Sequence, residues 1–165
     1  TPCGTLFPYT TLFRSGHPYL DSSIVRFQDR WWLFTSTLGN NILLLYHARQ
    51  LMGPWEHHPR NPLRFGDKNI SRPGGRVVEH EGRLIRFAQD DDPTYGNQLH
   101  AFEITEISPT TYVERRATRE PILGASGQGW NADGMHHVDP HRLADGSWIA
   151  VVDGHRKTKI YGWQY

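Results

Sequence analysis

The sequence contains a single cysteine, Cys3, among its 165 residues. One cysteine cannot form a disulfide within the chain, so packing and hydrogen bonding must stabilise the fold. Cys3 also precedes a segment, residues 5–15, that looks like the translation of a common sequencing adaptor. This segment has neither the basic start nor the apolar run of a signal peptide. We therefore expect residues 1–15 to lie outside the fold, which leaves the rest of the chain without thiol chemistry.

The sequence also has little net charge and no long apolar run. Its formal charge is +1, and residues 16–165 balance at zero because Arg14 is the single charged residue among the first 15. A nucleic-acid surface would need a basic patch or stripe, which is not visible here. The longest apolar runs, such as residues 42–45, are far too short to span a bilayer. We expect neither a nucleic-acid partner nor a membrane segment.

Helical periodicity is absent over any convincing length, whereas short β-prone runs are frequent. The runs at 21–27, 31–35 and 42–47 are separated by polar or Gly-Asn turns, which is typical of an antiparallel meander. Three prolines within residues 53–62 forbid a helix and allow only a short edge strand or an ordered loop. Residues 16–63 therefore predict one antiparallel sheet of about four strands, the size of a propeller blade.

A related pattern recurs twice more along the chain. An acidic residue stands at a turn before a β-rich run near residues 29, 81 and 145. A repeat of about 50 residues with a hairpin in every unit favours radially arranged sheets, although a β-sandwich with irregular hairpins would show a similar pattern. We predict an all-β fold with blades at about 16–64, 70–122 and 135–165.

Several short motifs, taken in their order and spacing, carry a family resemblance. They are Asp21 to Phe34, Asn41 to Tyr46, Gly53 to Pro62, Arg72 to Gly75, Gln89-Asp90 and Tyr95-Gly96. Together they resemble the five-bladed β-propeller of the glycoside hydrolase family 43/32/62 type. They are most similar to the branch found as the N-terminal domain of plant glucosamine inositolphosphorylceramide transferases and in bacterial relatives.

The resemblance implies a five-bladed propeller, of which this chain supplies about three blades. Propellers close with four or more blades of about 40 to 50 residues each, so the remaining length is too short for closure. We therefore expect a fragment of a longer protein. One expected partner of this fragment is the set of missing N-terminal blades of the same protein. The second expected partner is a carbohydrate or glycoconjugate bound in the central channel.

Polar residues at the starts of the inferred inner strands are the candidate site, because these strands line the channel of a propeller. An acid, a guanidinium and imidazoles facing one cavity supply the charge-assisted hydrogen bonds that a sugar requires. The candidate catalytic residue is Asp21. The candidate substrate-binding residues are Arg72, Gln89, Asp90, Trp130, His136, His137 and Asp139.

Each candidate also has a structural interpretation. Asp21 could cap a turn, and Arg72 could pair with Asp67 or Asp90. Four other tryptophans, Trp31, Trp32, Trp55 and Trp148, are expected to pack between blades rather than stack on a sugar.

Metal ligands are suggested only superficially. Alternation places His137, Asp139 and His141 on one strand face, but Pro140 disrupts that strand. The acidic turn at residues 90–92 lacks the spacing of a calcium loop. We expect no metal and no cofactor.

Hydrolysis of a glycosidic bond normally needs two carboxyl groups that flank the bond. Arg72 with Pro73 stands where an acid motif would be sought, and arginine does not release its proton at neutral pH. The resemblance also implies that the base lies on a blade upstream. Three interpretations stay open: a glycan-binding or glycan-processing propeller, a catalytically inactive accessory domain attached to a glycosyl- or formyl-transferase, and a structural propeller.

Overall fold

A computed structural model describes residues 18–158 of the chain. The predicted adaptor segment, residues 1–15, lies outside this range. The described residues form twelve β-strands and one short 3₁₀ helix, Gly129–Asn131, without any α-helix. The strands are β1 Tyr19–Phe27, β2 Arg30–Thr37, β3 Ile42–Ala48, β4 Glu56–His57, β5 Arg64–Phe65, β6 Val78–His80, β7 Arg83–Asp90, β8 Gln98–Ile107, β9 Tyr112–Arg116, β10 Leu123–Gly124, β11 Val138–Arg142 and β12 Trp148–Val152.

The first sheet is an antiparallel meander with the order β1-β2-β3-β4, and β5 also pairs with β3. Gln28 and Asp29 turn the chain between β1 and β2 with positive φ angles of 48° and 61°, as a tight hairpin requires. Between β4 and β5, the Asn61 amide pairs with the backbone of Leu45. The Leu45 N–H donates to Asn61 Oδ1 at 2.8 Å, and Asn61 Nδ2 donates to the Leu45 carbonyl at 2.6 Å. In the proline-rich segment, the Asn61 side chain thus makes the pair of hydrogen bonds that the backbone of a neighbouring strand would otherwise make with Leu45.

The second sheet is also antiparallel and has the order β10-β8-β7-β6, with β9 pairing with a different part of β8. The segment that leads into β6 lies along β7, where Pro73 forms an isolated antiparallel bridge with Ala88. The third sheet consists of β11 and β12, paired antiparallel. The described residues therefore form three consecutive antiparallel sheets.

Three segments, which we call the leading segments, open the three sheets: β1 around Ser23, the residues before β6 from Arg72 to Val77, and the residues at the start of β11 from His136 to Asp139. These leading segments are connected to one another. The Val77 N–H donates to Ser23 Oγ at 2.8 Å, which joins the second sheet's leading segment to β1. Gly75 forms a parallel bridge with Val138 at the start of β11. A Cβ atom at Gly75, whose φ is 146°, would overlap the Val138 carbonyl oxygen. This close approach requires glycine and explains why one stands here.

Two apolar layers lie between consecutive sheets. The layer between the first and second sheets consists of Trp32, Phe34, Leu43, Leu45, Val77, Leu84, Ile104, Ile107 and Tyr112. The layer between the second and third sheets consists of Phe87, Leu99, Ala101 and Val138. The second sheet is therefore covered on both faces.

A buried ion-pair network also links the first two sheets. Arg86 on β7 is 0% exposed and donates to both carboxylate oxygens of Glu114 on β9, each at 2.8 Å. Arg64 on β5 donates to Glu114 Oε1 at 3.0 and 3.1 Å, and the Tyr112 hydroxyl donates to Oε2 at 2.6 Å. Burial alone would raise the pKa of Glu114, but the charge and hydrogen bonds of Arg86 lower it to about 2.

The structure confirms the predicted all-β class and buries Trp32 more fully than Trp148. Trp32 is 1% exposed in the first layer, as expected of a packing residue. Trp148 is 41% exposed, with its ring edge-on to His80 at 5.6 Å. It is not fully buried because no further strand lies beside β12 in the described part of the chain. In residues 18–158 no helix is long or apolar enough to cross a membrane.

Candidate functional site

Asp21 lies at an irregular point of β1, where the pairing with β2 shifts register between Leu20 and Ser23. Its φ is 46°, an uncommon left-handed conformation for a residue with a side chain. The irregularity aims the carboxylate at residues from two other segments. Arg72 Nε and Gln89 Nε2 both donate to Asp21 Oδ2 at 2.6 Å. Such strained conformations cluster at functional sites.

Arg72 is held in one orientation from three sides. Besides its pair with Asp21, its Nη1 donates to Asn40 Oδ1 at 3.1 Å, and its guanidinium lies 5.2 Å from the centre of the Tyr95 ring. Burial alone would lower the pKa of Arg72, but the hydrogen bond and charge of Asp21 outweigh it and raise the pKa. The guanidinium therefore stays charged, with its remaining N–H groups free to bind.

Gln89 reaches Asp21 from β7 and is 1% exposed. Its Nε2 donates both to Asp21 and to the Pro73 carbonyl oxygen at 2.7 Å. Because both partners are hydrogen-bond acceptors, the amide atom that faces them must be the nitrogen. Gln89 Oε1 is buried and accepts no hydrogen bond from the described residues.

A second set of polar groups continues the cluster. The Tyr95 hydroxyl lies 3.0 Å from His136 Nε2, and Asp153 Oδ2 lies 3.1 Å from His136 Nδ1. The His136 backbone N–H donates to Asp153 Oδ1 at 3.2 Å. Burial lowers the pKa of His136, and the charges of Asp153 and Asp91 offset this only in part. His136 is therefore neutral near pH 7.

Asp91 also belongs to this cluster, although it is not among the site residues predicted from the sequence. It is 8% exposed, and its Oδ1 accepts the Gly96 N–H at 2.9 Å while its Oδ2 is buried without a partner in residues 18–158. Burial raises the pKa of the Asp91 carboxyl, although the Gly96 amide and Arg72 act in the opposite direction. A usable signal existed, because Asp91 follows Gln89 by two residues and strand alternation places such residues on one side.

A cavity of about 340 Å³ adjoins the cluster. Its walls come from the leading segments of all three sheets, and Asp21 belongs both to the cavity and to the cluster. His137 and Asp139, two of the predicted residues, line the same cavity, where Asp139 Oδ1 lies 2.9 Å from Arg76 Nε. Its full lining is Asp21, Ser22, Ser23, Ile24, Gly75, Arg76, His137 and Asp139.

Two predicted residues lie apart from this cluster. Asp90 is 3% exposed and accepts hydrogen bonds from Asn69 Nδ2 at 2.6 Å and Gln98 Nε2 at 2.7 Å. Its Oδ2 also lies 3.3 Å from His100 Nε2, so its carboxylate is occupied by structural partners. Trp130, in the 3₁₀ helix, is 59% exposed, and its ring packs against Gly154.

Metal ligation has no visible basis in the part of the chain that the structure describes. No three His, Cys, Asp or Glu side chains within residues 18–158 are placed to hold one ion. The arrangement instead offers hydrogen-bond donors and acceptors: a fixed guanidinium, a tyrosine hydroxyl, a neutral imidazole and several carboxylates.

Comparison with known proteins gives consistent matches over most of the chain. The family model described as glucosamine inositolphosphorylceramide transferase 1, N-terminal, matches residues 12–155. This range includes the last four residues of the predicted adaptor segment. Glucosamine inositolphosphorylceramide transferase 1 from Oryza sativa subsp. japonica is 35% identical over 147 residues, which cover 84% of this chain and 20% of that protein. The protein of the same name from Arabidopsis thaliana is 33% identical over 152 residues, which cover 86% of this chain and 20% of its own length.

One solved structure is also similar. It is a crystal structure from Bifidobacterium bifidum s17, provisionally named an exo-β-1,3-galactanase, with 14% identity and a TM-score of 0.49 over 79% of this chain and 43% of that one. A likeness at this level does not specify an activity. The chain spans about a fifth of the length of the transferases that it matches.

Proposed function

We propose a function from one premise: this chain belongs to the glucosamine inositolphosphorylceramide transferase 1 N-terminal family. The family is associated with a glycosyltransferase, which is consistent with a carbohydrate-related role. We propose that the chain binds a glycan or glycoconjugate in the cavity that Asp21 borders. Binding within the complete protein would then present or retain a carbohydrate near the transferase.

The architecture proposed for this role is a partial propeller, with the three sheets as successive blades. Two features support it. An apolar layer lies between each pair of consecutive sheets, and the leading segments are joined through Ser23 with Val77 and Gly75 with Val138. In a propeller such segments line the central channel, where ligands bind. The number of blades in the complete protein, five by resemblance, stays a prediction.

The observation that carries the proposal is the convergence of Asp21, Arg72 and Gln89 beside the cavity. They come from three separate segments, yet both donors meet one carboxylate oxygen of Asp21 at 2.6 Å. Asp21 Oδ1 and the outer N–H groups of Arg72 are left for a ligand. A fixed carboxylate beside a fixed guanidinium matches adjacent sugar hydroxyls, which both donate and accept.

Binding is favoured over hydrolysis for this chain. Asp21 Oδ2 is occupied by two donors, and Arg72 stands where a proton donor would be needed. The second candidate is therefore a catalytically inactive accessory domain, in which the same site only recognises its ligand. Absence of product release from every glycan that binds would favour the accessory role. Hydrolysis that depends on Asp21 would favour an enzyme.

The test compares two substitutions of the same kind on an oligosaccharide array, followed by calorimetry with the strongest ligand. Asp21→Asn keeps a side chain that tolerates the left-handed backbone and removes the charge. Asp29→Asn is the matched control, because Asp29 also has a positive φ but its side chain is fully exposed in the β1–β2 turn. We expect Asp21→Asn to weaken binding about tenfold or more and Asp29→Asn to leave it unchanged. Equal affinities in the two variants, or an array without any bound glycan, would refute the proposal.

A further inference from the structure

His58 lies at the contact between the first and second sheets, with both of its ring nitrogens in use. It follows β4 and is 0% exposed, and its Nδ1 accepts the Arg60 backbone N–H at 3.1 Å. Its Nε2 lies 3.0 Å from the Ser108 carbonyl oxygen, in the turn between β8 and β9. A backbone N–H can only donate and a carbonyl can only accept, so the ring carries a proton on Nε2 and none on Nδ1. The contact between the sheets therefore requires the neutral imidazole.

His47, a second buried histidine, lies beside this ring. It belongs to β3 and is 3% exposed, and the centres of the two imidazole rings are 6.1 Å apart. Its Nδ1 lies 3.4 Å from Arg30 Nη1, which can only donate, so this nitrogen also presents a lone pair. Burial lowers the pKa of His47, and charges on Arg30 and His58 act in the same direction. The groups that oppose them, Glu56 and the backbone of Pro109, offset this only in part.

The surroundings of His58 likewise disfavour a charged ring. Burial is the largest cause and lowers its pKa, and charges on Arg60 and His57 act in the same direction. The backbone groups of Ser108 and Thr111 favour the charged ring but offset the other causes only in part. Protonation of Nδ1 would also bring a second N–H against the Arg60 N–H, so that two donors would meet without an acceptor between them. A proton on His58 therefore breaks the hydrogen bond that fixes its ring.

We propose that His58, supported by His47, is a pH switch that weakens the contact between the first and second sheets in acid. Protonation costs the ring its acceptor nitrogen and leaves a charge buried between the sheets. The candidate site depends on the same contact, because Asp21 belongs to the first sheet whereas Arg72 and Gln89 come from the second sheet and its leading segment. Acid therefore also destabilises the arrangement in which these three side chains meet, whichever ligand the site holds.

The direction of the pH dependence follows from a comparison with the unfolded chain. There His58 has its ordinary pKa of 6.5, whereas its pKa in the folded chain is lower. The stabilisation is therefore complete above pH 6.5 and is lost as the pH falls toward the pKa of the folded chain. At pH 5 the unfolded ring is protonated about thirty times as often as it is neutral, so His58 alone can raise the equilibrium constant of unfolding by up to about thirtyfold.

Urea unfolding of the 165-residue chain at pH 8 and pH 5 tests the switch. His58→Gln keeps a side chain that donates and accepts hydrogen bonds but takes up no proton in this range. Between the two pH values, the equilibrium constant of unfolding should rise at least about threefold further in the wild type than in His58→Gln. The other buried histidines are the same in both chains, and pH 5 lies above the range in which Glu114 titrates. The difference between the two chains therefore reports His58.

His141→Gln is the matched control, because His141 is exposed on β11. It should keep the pH dependence of the wild type to within about twofold. A difference under about threefold between the wild type and His58→Gln would overturn the proposal, and so would a control that changes as much as His58→Gln. If His58→Gln does not fold, an NMR titration of the His58 ring in the folded wild-type chain decides. A midpoint below 6.5 supports the switch, and a midpoint at or above 6.5 overturns it.

Discussion

Replacing Arg86 with methionine is expected to destabilise the fold by about 3 to 5 kcal/mol, because it leaves a buried carboxylate without its main partner. Arg86 donates twice to Glu114 and once, at 3.1 Å, to the Ile70 carbonyl. Three hydrogen bonds from a charged donor are worth about 4.5 to 9 kcal/mol as an upper limit. Part of this is recovered, since the guanidinium no longer has to be desolvated. Arg64 and Tyr112 still contact Glu114 and limit the loss further.

Urea unfolding of wild-type and variant chains measures this prediction. Arg83→Met is the matched control on the same strand, because Arg83 is 63% exposed and pairs with Glu103 at the surface. Exposed ion pairs contribute about 0 to 1 kcal/mol, so the control should stay within that range. In a double-mutant cycle, Arg86→Met combined with Glu114→Gln should cost clearly less than the two single losses added together. A loss under about 1 kcal/mol for Arg86→Met, or strict additivity in the cycle, would refute the reasoning.

Three further predictions concern the fold. The pKa of Glu114 is lowered from 4.5 to about 2, so ionised Glu114 stabilises the fold by about 3 kcal/mol above pH 4.5, and this stabilisation is lost as the pH falls toward 2. Between pH 5 and pH 2.5, the free energy of unfolding should therefore fall more in the wild type than in Glu114→Gln. Asn61→Ala should cost about 1 to 3 kcal/mol, because the Leu45 N–H loses its acceptor and the Leu45 carbonyl keeps only the His58 N–H as donor; an unchanged denaturation midpoint would contradict this. Trp32→Ala should cost about 3 to 5 kcal/mol, and Trp148→Ala less than half as much because that ring is 41% exposed. Equal losses of stability in thermal or urea unfolding would contradict the assignment of Trp32 alone to the buried layer.

The sequence was sufficient to predict the longer strands of the first sheet, because strand formation depends on local pattern. Alternating apolar residues with Gly, Asn and Asp turns predicted β1, β2 and β3, and the prolines after Gly53 left two alternatives, an ordered loop or a short edge strand, the second of which β4 is. It also indicated that Asp21 and Arg72 belong together, since both open the leading segment of a repeat. The structure places the two side chains in contact, at 2.6 Å across 51 positions of sequence.

The identity of partners could not be obtained in the same way. The sequence left Arg72 with Asp67 or Asp90 as an alternative partner, and the fold pairs it with Asp21 instead. Gln89 and Asp90 were assigned to one site as neighbours. Neighbouring residues of a strand point to opposite sides. Gln89 therefore contacts Asp21, whereas Asp90 accepts hydrogen bonds from Asn69 and Gln98 and lies 3.3 Å from His100.

Local sequence thus determined that the chain forms antiparallel sheets, since hydrogen-bonded strands and turns depend on residues a few positions apart. Tertiary structure alone decided which charges meet. Asp91 enters the cluster because the loop after β7 folds back so that the Gly96 amide holds its carboxylate. His136 and Asp153 join the cluster because they lie at the two ends of the β11–β12 hairpin, which strand pairing holds side by side. Such contacts join segments far apart in the chain, and their geometry is set by how the sheets pack against one another, which no local pattern encodes.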